Sequence, residues 1–549
     1  MQARLRRLRR LRRLRPLGLS LLSAVLLFAS VPTFGLWPLM WVALVPAIEV
    51  ARAAPTPKRA FLWGWLTGFV ANAVAFYWMD GLLERFGHMS PVEALPIVAL
   101  LVGYQGVAFG FFSWGVRRAH DRTGLPFALL APLVMVTIEL VMPQMFPYYL
   151  AISQAFVPRL IQIADLTGPL GVTALMMATN GLAADALLAR SERRSLPRRS
   201  AIVVLSLFVA NLGYGQLRLH QVDARRAAAP KVKTGLVQAN VGIIEKWDPR
   251  AFARLLDLHQ EKSAELARAG AELMVWPESS YPYALPRAPH ALPTDLPATD
   301  PRRVRRGFDT PLMFGALTRT VGPPRTPKDR YPYNTALILD GAGNFTGSYD
   351  KVFLMLFGEY IPFYDQIPWF TKLFPEASNF SRGTDPAVFP LEVAGQTYKV
   401  APLICYEDIL PGFARRAAKL GPNAFINMTN DAWFGRTAEP YQHLALAVFR
   451  TVEHRLEMVR AVNTGVSAHI DAGGRVRAET PSVDPDDVPP APVASLLVEL
   501  AMLPGGGLYR HVGDLFGFLC LGALVIVMVR GNGPRAVGRR GKKNTDPQV

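Results

Sequence analysis

Residues 399–408 read KVAPLICYED, an apolar run that ends on Cys405 and turns at once into the polar Tyr406, Glu407 and Asp408. This is the pattern of a buried strand running out into a loop. A thiol at such a strand end can reach a substrate, and the following backbone N–H can serve an oxyanion. On its own the feature is weak, because a cysteine after a strand is more often a packed small residue. Cys520, the other cysteine, lies within FGFLCLGALVIVMV and reads as an inert buried thiol. Two cysteines in 549 residues exclude a disulfide framework and a four-cysteine zinc site.

Working outward, comparable β-rich runs stand at 232–240 (VKTGLVQAN), 271–278 (AELMVWPE), 311–317 (PLMFGAL), 334–340 (NTALILD) and 423–431 (NAFINMTND). Helical patterns at 249–269 and 439–461 lie between some of them. Alternation of this kind predicts an α/β domain with layered sheets over residues 218–511. Two further groups belong beside Cys405 chemically. Glu278 ends its own apolar strand in MVWPESS and is a candidate base. Lys351, in YDKVFLMLFGEYIP, is a candidate stabiliser of a developing oxyanion. Spacing alone does not separate this set from three unrelated residues.

The rest of the chain has another character. Half of all residues are hydrophobic and 19% are charged, which excludes disorder as the dominant state. Long apolar segments lie near 17–31, 36–51, 60–79, 93–116, 125–150, 170–189, 200–217 and 512–529. Several approach the ~20 residues that cross hydrocarbon as a helix, and so many leave too little polar surface for a soluble domain. The expectation is about eight transmembrane helices: seven in a membrane domain at 1–217, then an extracytoplasmic domain at 218–511, then a last helix and basic tail at 512–549. The N-terminal LRRLRRLRRLR with the following apolar run has the look of a signal peptide, but no small-residue cleavage site follows, so an uncleaved first span is expected.

Net charge is +18, yet residues 218–511 account for only +2 of it. With the N-terminus in the cytoplasm, the cytoplasmic segments hold 25 Arg and Lys, and the short loops of the opposite side hold 2, Arg85 and Arg159. That asymmetry places both termini in the cytoplasm and Cys405 outside it. It also turns the basic surplus from a nucleic-acid signal into a topological one, and no nucleic-acid partner is expected.

WPES at 276–279, the lysine of YDKVFLMLFGEYIP, ICYED at 404–408 and NDAWFG at 430–435 occur in the order of the blocks of the carbon–nitrogen hydrolase (nitrilase) superfamily, which the 218–511 region resembles. Together with the spans and FGEYIP, the whole chain is similar to the apolipoprotein N-acyltransferase family. That resemblance implies a nitrilase-like αββα sandwich and a Glu–Lys–Cys triad: Cys405 as nucleophile, Glu278 as base, Lys351 as stabiliser of the tetrahedral intermediate. It implies Glu359 as a supporting carboxylate, Tyr406 as donor of a backbone N–H, Glu407 as an orienting carboxylate, and Trp247 near a lipid entrance. It further implies a phospholipid acyl donor, phosphatidylethanolamine in particular, an apolipoprotein acceptor, a bacterial inner-membrane location with the catalytic domain periplasmic, and no cofactor or metal. Leu356 departs from the family, which usually has proline there. Aromatic-rich residues 352–374 are expected at the lipid interface. Two other readings stay open from the residues themselves: a membrane-tethered amidase using the same three groups, and a transporter or sensor with a ligand-binding outer domain.

Overall fold

The computed structural model describes residues 2–32, 34–144, 146–287, 294–321, 331–361, 379–483 and 492–530. Among the described residues its α/β part contains thirteen strands: β1 Lys231–Gln238, β2 Leu273–Val275, β3 Tyr281–Pro286, β4 Leu312–Arg319, β5 Tyr333–Leu339, β6 Phe345–Asp350, β7 Phe389–Val393, β8 Gln396–Ile404, β9 Ala424–Thr429, β10 Glu457–Val462, β11 Ala468–Ile470, β12 Val476–Glu479 and β13 Ala494–Ala501. They form two sheets. One runs β13-β1-β2-β4-β5-β6 with β3 also paired to β4, and the other runs β12-β11-β10-β9-β8-β7.

Side-chain alternation shows how the sheets are layered. Leu236, Val275, Met313 and Ile338 share one core with Ile404, Ile426, Met428 and Val459 of the second sheet. Their neighbours Val237, Met274, Leu312 and Leu337 point the other way, into a core shared with Leu256 and Leu266 of the Phe252–Arg268 helix. A period of two along each strand therefore buries both faces, one on the partner sheet and one on a helix. The runs quoted from the sequence all contain strands of this sandwich. One expectation needs correcting: residues 439–461 are not one helix. The helix is Glu439–His454, Arg455 takes a left-handed φ of 52° as its C-terminal cap, and β10 begins at Glu457. Arg455 is held there by Asp165 and Gln162, contacts with no local sequence signal.

The apolar part is helical. Pro91–Thr123, Pro169–Ser191 and Arg198–Ala228 are each long and apolar enough to cross a membrane. Pro57–Ala75 and Trp78–Arg85 qualify together as one span bent by 57°, and Leu14–Ala29, Phe127–Val141 and Leu515–Arg530 are shorter apolar helices. The stretch near 36–51 differs from expectation: it is a short 3₁₀ turn, Trp37–Trp41, followed by the Val45–Ala53 helix. Asn180 fills the break, accepting from Leu44 N–H at 2.8 Å and donating to the Met40 carbonyl at 2.9 Å. Interrupted backbone in an apolar setting persists only where such partners satisfy it. Pro57–Ala75 and Pro91–Thr123 approach closely through small residues; a Cβ on Gly106 would stand 2.8 Å from the Phe69 nitrogen.

Buried polar contacts join the helical part to the sandwich, among them those of Asp165 and Gln442. Asp165 takes Arg455 at 2.6 Å and Arg218 at 2.7 Å. At the bend between Ala75 and Trp78, Gln442 of the Glu439–His454 helix donates to the freed Ala75 carbonyl at 3.1 Å and accepts from the Trp78 indole at 3.3 Å. Phe434 packs edge-on against Trp78 at 5.1 Å, so the bend sits directly over the loop after β9.

Candidate active site

The three residues singled out in the sequence all follow strands. Glu278 comes after β2, Lys351 directly after β6, and Cys405 directly after β8. Two residues at these turns are on strained backbone. Cys405 has φ +49° and Ser279, next to Glu278, has φ +48°, left-handed values that cost a non-glycine residue about 1–3 kcal/mol and collect at functional turns. The Glu278 turn lies flat on β4 because Gly315 has no side chain; a Cβ there would stand 2.8 Å from the Glu278 Cα.

Lys351 is almost fully buried. Its Nζ lies 3.1 Å from Glu278 Oε1 and 2.7 Å from Glu359 Oε2. Asn334, on β5, donates through Nδ2 to both carboxylates, at 2.6 Å to Glu278 and 3.0 Å to Glu359. Glu359 also accepts from the Met355 N–H at 3.0 Å. Burial alone would discharge the lysine, but Glu278 and Glu359 outweigh it and hold the ammonium well above its ordinary range. For Cys405, burial and then Glu278 push the thiol well up, with Lys351 pulling against them. Cys405 thus rests as a thiol under the influence of a carboxylate, and to act as a nucleophile it would need a proton acceptor.

Glu407 does structural work. Its Oε1 accepts from the Tyr349 hydroxyl at 2.7 Å, Val352 N–H at 2.7 Å and Phe353 N–H at 3.1 Å, and its Oε2 accepts from Ile404 N–H at 2.9 Å. This one buried carboxylate ties the chain after Lys351 to the strand end before Cys405. Tyr406 is half-buried. Trp247 is 42% exposed, with the Lys246 ammonium 5.9 Å from its ring centre. Leu356 and Tyr360 bridge across a tight loop in which Phe357 has φ +63°, which brings Glu359 back to Lys351. Of the 352–374 segment, residues 362–374 lie outside the described residues.

Glu278, Lys351, Glu359, Cys405, Tyr406 and Trp247 line one cavity of about 1130 Å³. Its remaining wall is largely apolar and comes in part from the helical region, including Phe76, Met79, Leu82, Leu100 and Leu101. A cysteine at the polar end of an apolar chamber suits a substrate with an acyl chain and a carbonyl. Two residues that the sequence reading passed over belong here. Asn334 opens the run NTALILD, where it was legible only as the start of a strand. Lys246, just before Trp247, is buried and donates to the Glu278 carbonyl at 2.8 Å. Burial brings its pKa down to about 8, against the pull of Glu278 and Cys405.

Comparison with known proteins fits both halves of this description. The carbon–nitrogen hydrolase family model matches residues 233–488, which makes the sandwich a nitrilase-like domain. The model of the apolipoprotein N-acyltransferase N-terminal domain matches residues 23–182. The chain is 32% identical to the apolipoprotein N-acyltransferase of Geobacter metallireducens over 521 residues, 93% of this chain and 94% of that one. It is 28% identical to that of Bdellovibrio bacteriovorus over 481 residues, 84% and 85% of the two chains. Among solved structures, an amidase from Nesterenkonia sp. aligns with a TM-score of 0.34 at 20% identity, over 52% of this chain and 96% of the amidase. The protein belongs to the apolipoprotein N-acyltransferase family.

Proposed function

We infer that this protein N-acylates lipoproteins, moving a fatty acyl chain from a membrane phospholipid to the N-terminal amine of an apolipoprotein. Its relatives carry that name over nearly the whole chain, and its catalytic domain is of the carbon–nitrogen hydrolase class. The family is that of a bacterial inner-membrane enzyme. The observation that carries the chemistry is the Glu278–Lys351–Glu359 cluster sharing one apolar-walled cavity with Cys405.

The reaction runs in two halves. Glu278 takes the Cys405 proton as the sulfur attacks an ester carbonyl of the lipid. Lys351 stabilises the tetrahedral oxyanion, with the Tyr406 N–H as a second donor, and Glu359 keeps the lysine charged and aimed. Glu278 passes that proton to the departing glycerol oxygen, lysophospholipid leaves, and a thioester remains on Cys405. The neutral α-amino group of a diacylglyceryl-cysteine then attacks the thioester, Glu278 accepts its proton, the C–S bond breaks, and Glu278 returns the proton to the sulfur, which regenerates the thiol. Glu407 orients the loops that carry Lys351 and Cys405, and Trp247 stands at the lipid entrance. Phosphatidylethanolamine is the donor of this reading.

We assign eight crossings. The three long helices, the bent pair and the three shorter apolar helices make seven, and the Asn180-patched stretch 37–53 makes the eighth. In this reading both termini are cytoplasmic and residues 218–511 periplasmic, which the cation asymmetry of the loops supports. Purified protein incubated with phospholipid vesicles tests the function: a phospholipid-derived acyl adduct on Cys405, and its transfer to a lipopeptide amine, is the expected outcome. Hydrolysis of soluble amides with no adduct from lipid would refute the assignment.

A further inference from the structure

The wall of the same cavity holds a group of ionisable side chains that acyl transfer as described does not use. His443, on the Glu439–His454 helix, sets Nε2 2.9 Å from Asp408 Oδ1 and Nδ1 3.1 Å from Asp431 Oδ1. Carboxylates on both sides accept, so both ring nitrogens carry protons and the ring is an imidazolium. Burial and Arg460 oppose that charge, but Asp408 and Asp431 overcome them and raise the ring's pKa to about 10. Arg460 is paired to the other oxygen of Asp408. Glu439, one turn before His443, keeps its Oε1 3.9 Å from Nδ1, beyond hydrogen-bond reach.

Three carboxylates, Asp408, Asp431 and Glu439, thus face two cations, His443 and Arg460, and one negative charge is left over. Glu439 carries the surplus. Its residue is 8% exposed, it lines the cavity together with Cys405, and among the described residues its buried Oε2 has no hydrogen-bond partner. Asp431 Oδ2 is buried and unpartnered as well. Burial first, and then Asp431, push the Glu439 carboxyl well above its ordinary range, while His443 and Arg460 pull it down. Without a ligand the surplus is met by a proton on Glu439. A metal ion suits the group poorly, since His443 holds a carboxylate at each nitrogen and has no free lone pair to give. A primary ammonium suits it well: one positive charge, and N–H donors for the open oxygens.

We propose that Glu439, with Asp431 beside it, binds a primary ammonium group of a substrate in this cavity. The proposal rests on the acyl-transfer reading, which brings two such groups to the site. One is the amino headgroup of the donor lipid. The other is the N-terminal amine of the acceptor, which with a pKa of ~7.7–8.0 arrives largely protonated at neutral pH. Binding releases the Glu439 proton to solvent and leaves an ammonium–carboxylate pair at the wall.

The experiment uses full-length protein carrying Glu439→Gln, with Glu439→Asp as a second variant that keeps the charge and shortens its reach. The first arm measures acyl-Cys405 formation from vesicles of phosphatidylethanolamine and of phosphatidylglycerol, which has no amine. The second arm measures transfer from preformed acyl-enzyme to a diacylglyceryl-cysteine peptide. Loss of a charge-assisted hydrogen bond predicts a fall of about tenfold or more in one arm, partly restored in the Asp variant. A fall with phosphatidylethanolamine alone assigns the site to the headgroup; a raised KM for the peptide with both donor rates intact assigns it to the acceptor. Rates matching the wild type in both arms overturn the proposal. So does an equal fall with both lipids, or wild-type activity that a chelator abolishes and a divalent cation restores. Absence of acyl-Cys405 in the wild type would instead refute the acyl-transfer reading itself.

Discussion

Replacing Glu407 by glutamine changes no volume and leaves Cys405, Lys351 and Glu278 in place, yet the geometry predicts a large loss. The carboxylate accepts four hydrogen bonds, three at Oε1 and one at Oε2. Glutamine offers one carbonyl oxygen. Set at the Oε1 position, it keeps the Tyr349, Val352 and Phe353 donors and turns its NH₂ against the Ile404 N–H. One bond to a charged acceptor is lost and a donor faces a donor, a cost of about 2–3 kcal/mol. That cost divides between thermal stability and the alignment of Lys351 with Cys405. Where it falls wholly on alignment, acyl-Cys405 formation slows by about 30- to 150-fold. Tyr349→Phe removes one donor and leaves the carboxylate, so its effect is smaller. Single-turnover formation of acyl-Cys405, followed by intact mass alongside thermal unfolding in detergent, reads both shares. A Glu407→Gln enzyme with rate and melting midpoint unchanged from wild type would refute the role of this carboxylate as the tie between the two loops.

Three other perturbations follow from the same coordinates. Asn334→Leu removes the one amide that bonds both Glu278 and Glu359, and acyl-enzyme formation is expected to fall by about ten- to a hundredfold with little change in melting, whereas an unaffected rate would exclude Asn334 from the site. Lys246 has a pKa lowered to about 8 by burial, so its ammonium is present below that pH and lost above it. The rate should show an alkaline limb near pH 8 that Lys246→Arg moves upward; a limb that stays put in the arginine variant would contradict this. Asn180→Leu strands the Leu44 N–H and Met40 carbonyl in the apolar interior and should cost about 2–4 kcal/mol in unfolding measured in detergent, while a wild-type midpoint would mean the break at 42–44 needs no patch.

The strands were legible because local pattern encodes them: β2 and β8 are apolar runs that end near Glu278 and Cys405. That Glu278, Lys351 and Cys405 belong together came from the order of the motifs that resemble the carbon–nitrogen hydrolase blocks, since β6, which leads to Lys351, is the mixed run FTGSYD. Their partners were not legible. Asn334 reads as an ordinary first residue of a strand, and only pairing of β5 with β4 and β6 brings it to two glutamates distant in sequence. His443 has no ligand-type spacing, and its partners Asp408 and Asp431, with Arg460 on Asp408, come from three other segments assembled by the second sheet. The break at 37–53 was hidden for the opposite reason. Its composition is that of a continuous apolar span, and what interrupts it is a side chain 136 residues away.

The central claim is that Cys405 carries the acyl group between a phospholipid and an amine. Intact and peptide mass spectrometry of the protein after exposure to phospholipid vesicles tests it most directly. An increase equal to one acyl chain is expected on the peptide containing Cys405, discharged when a diacylglyceryl-cysteine peptide is added and recovered as an N-acyl group on that peptide. N-acylation that proceeds with Cys405 unmodified, or that survives Cys405→Ala, would contradict it.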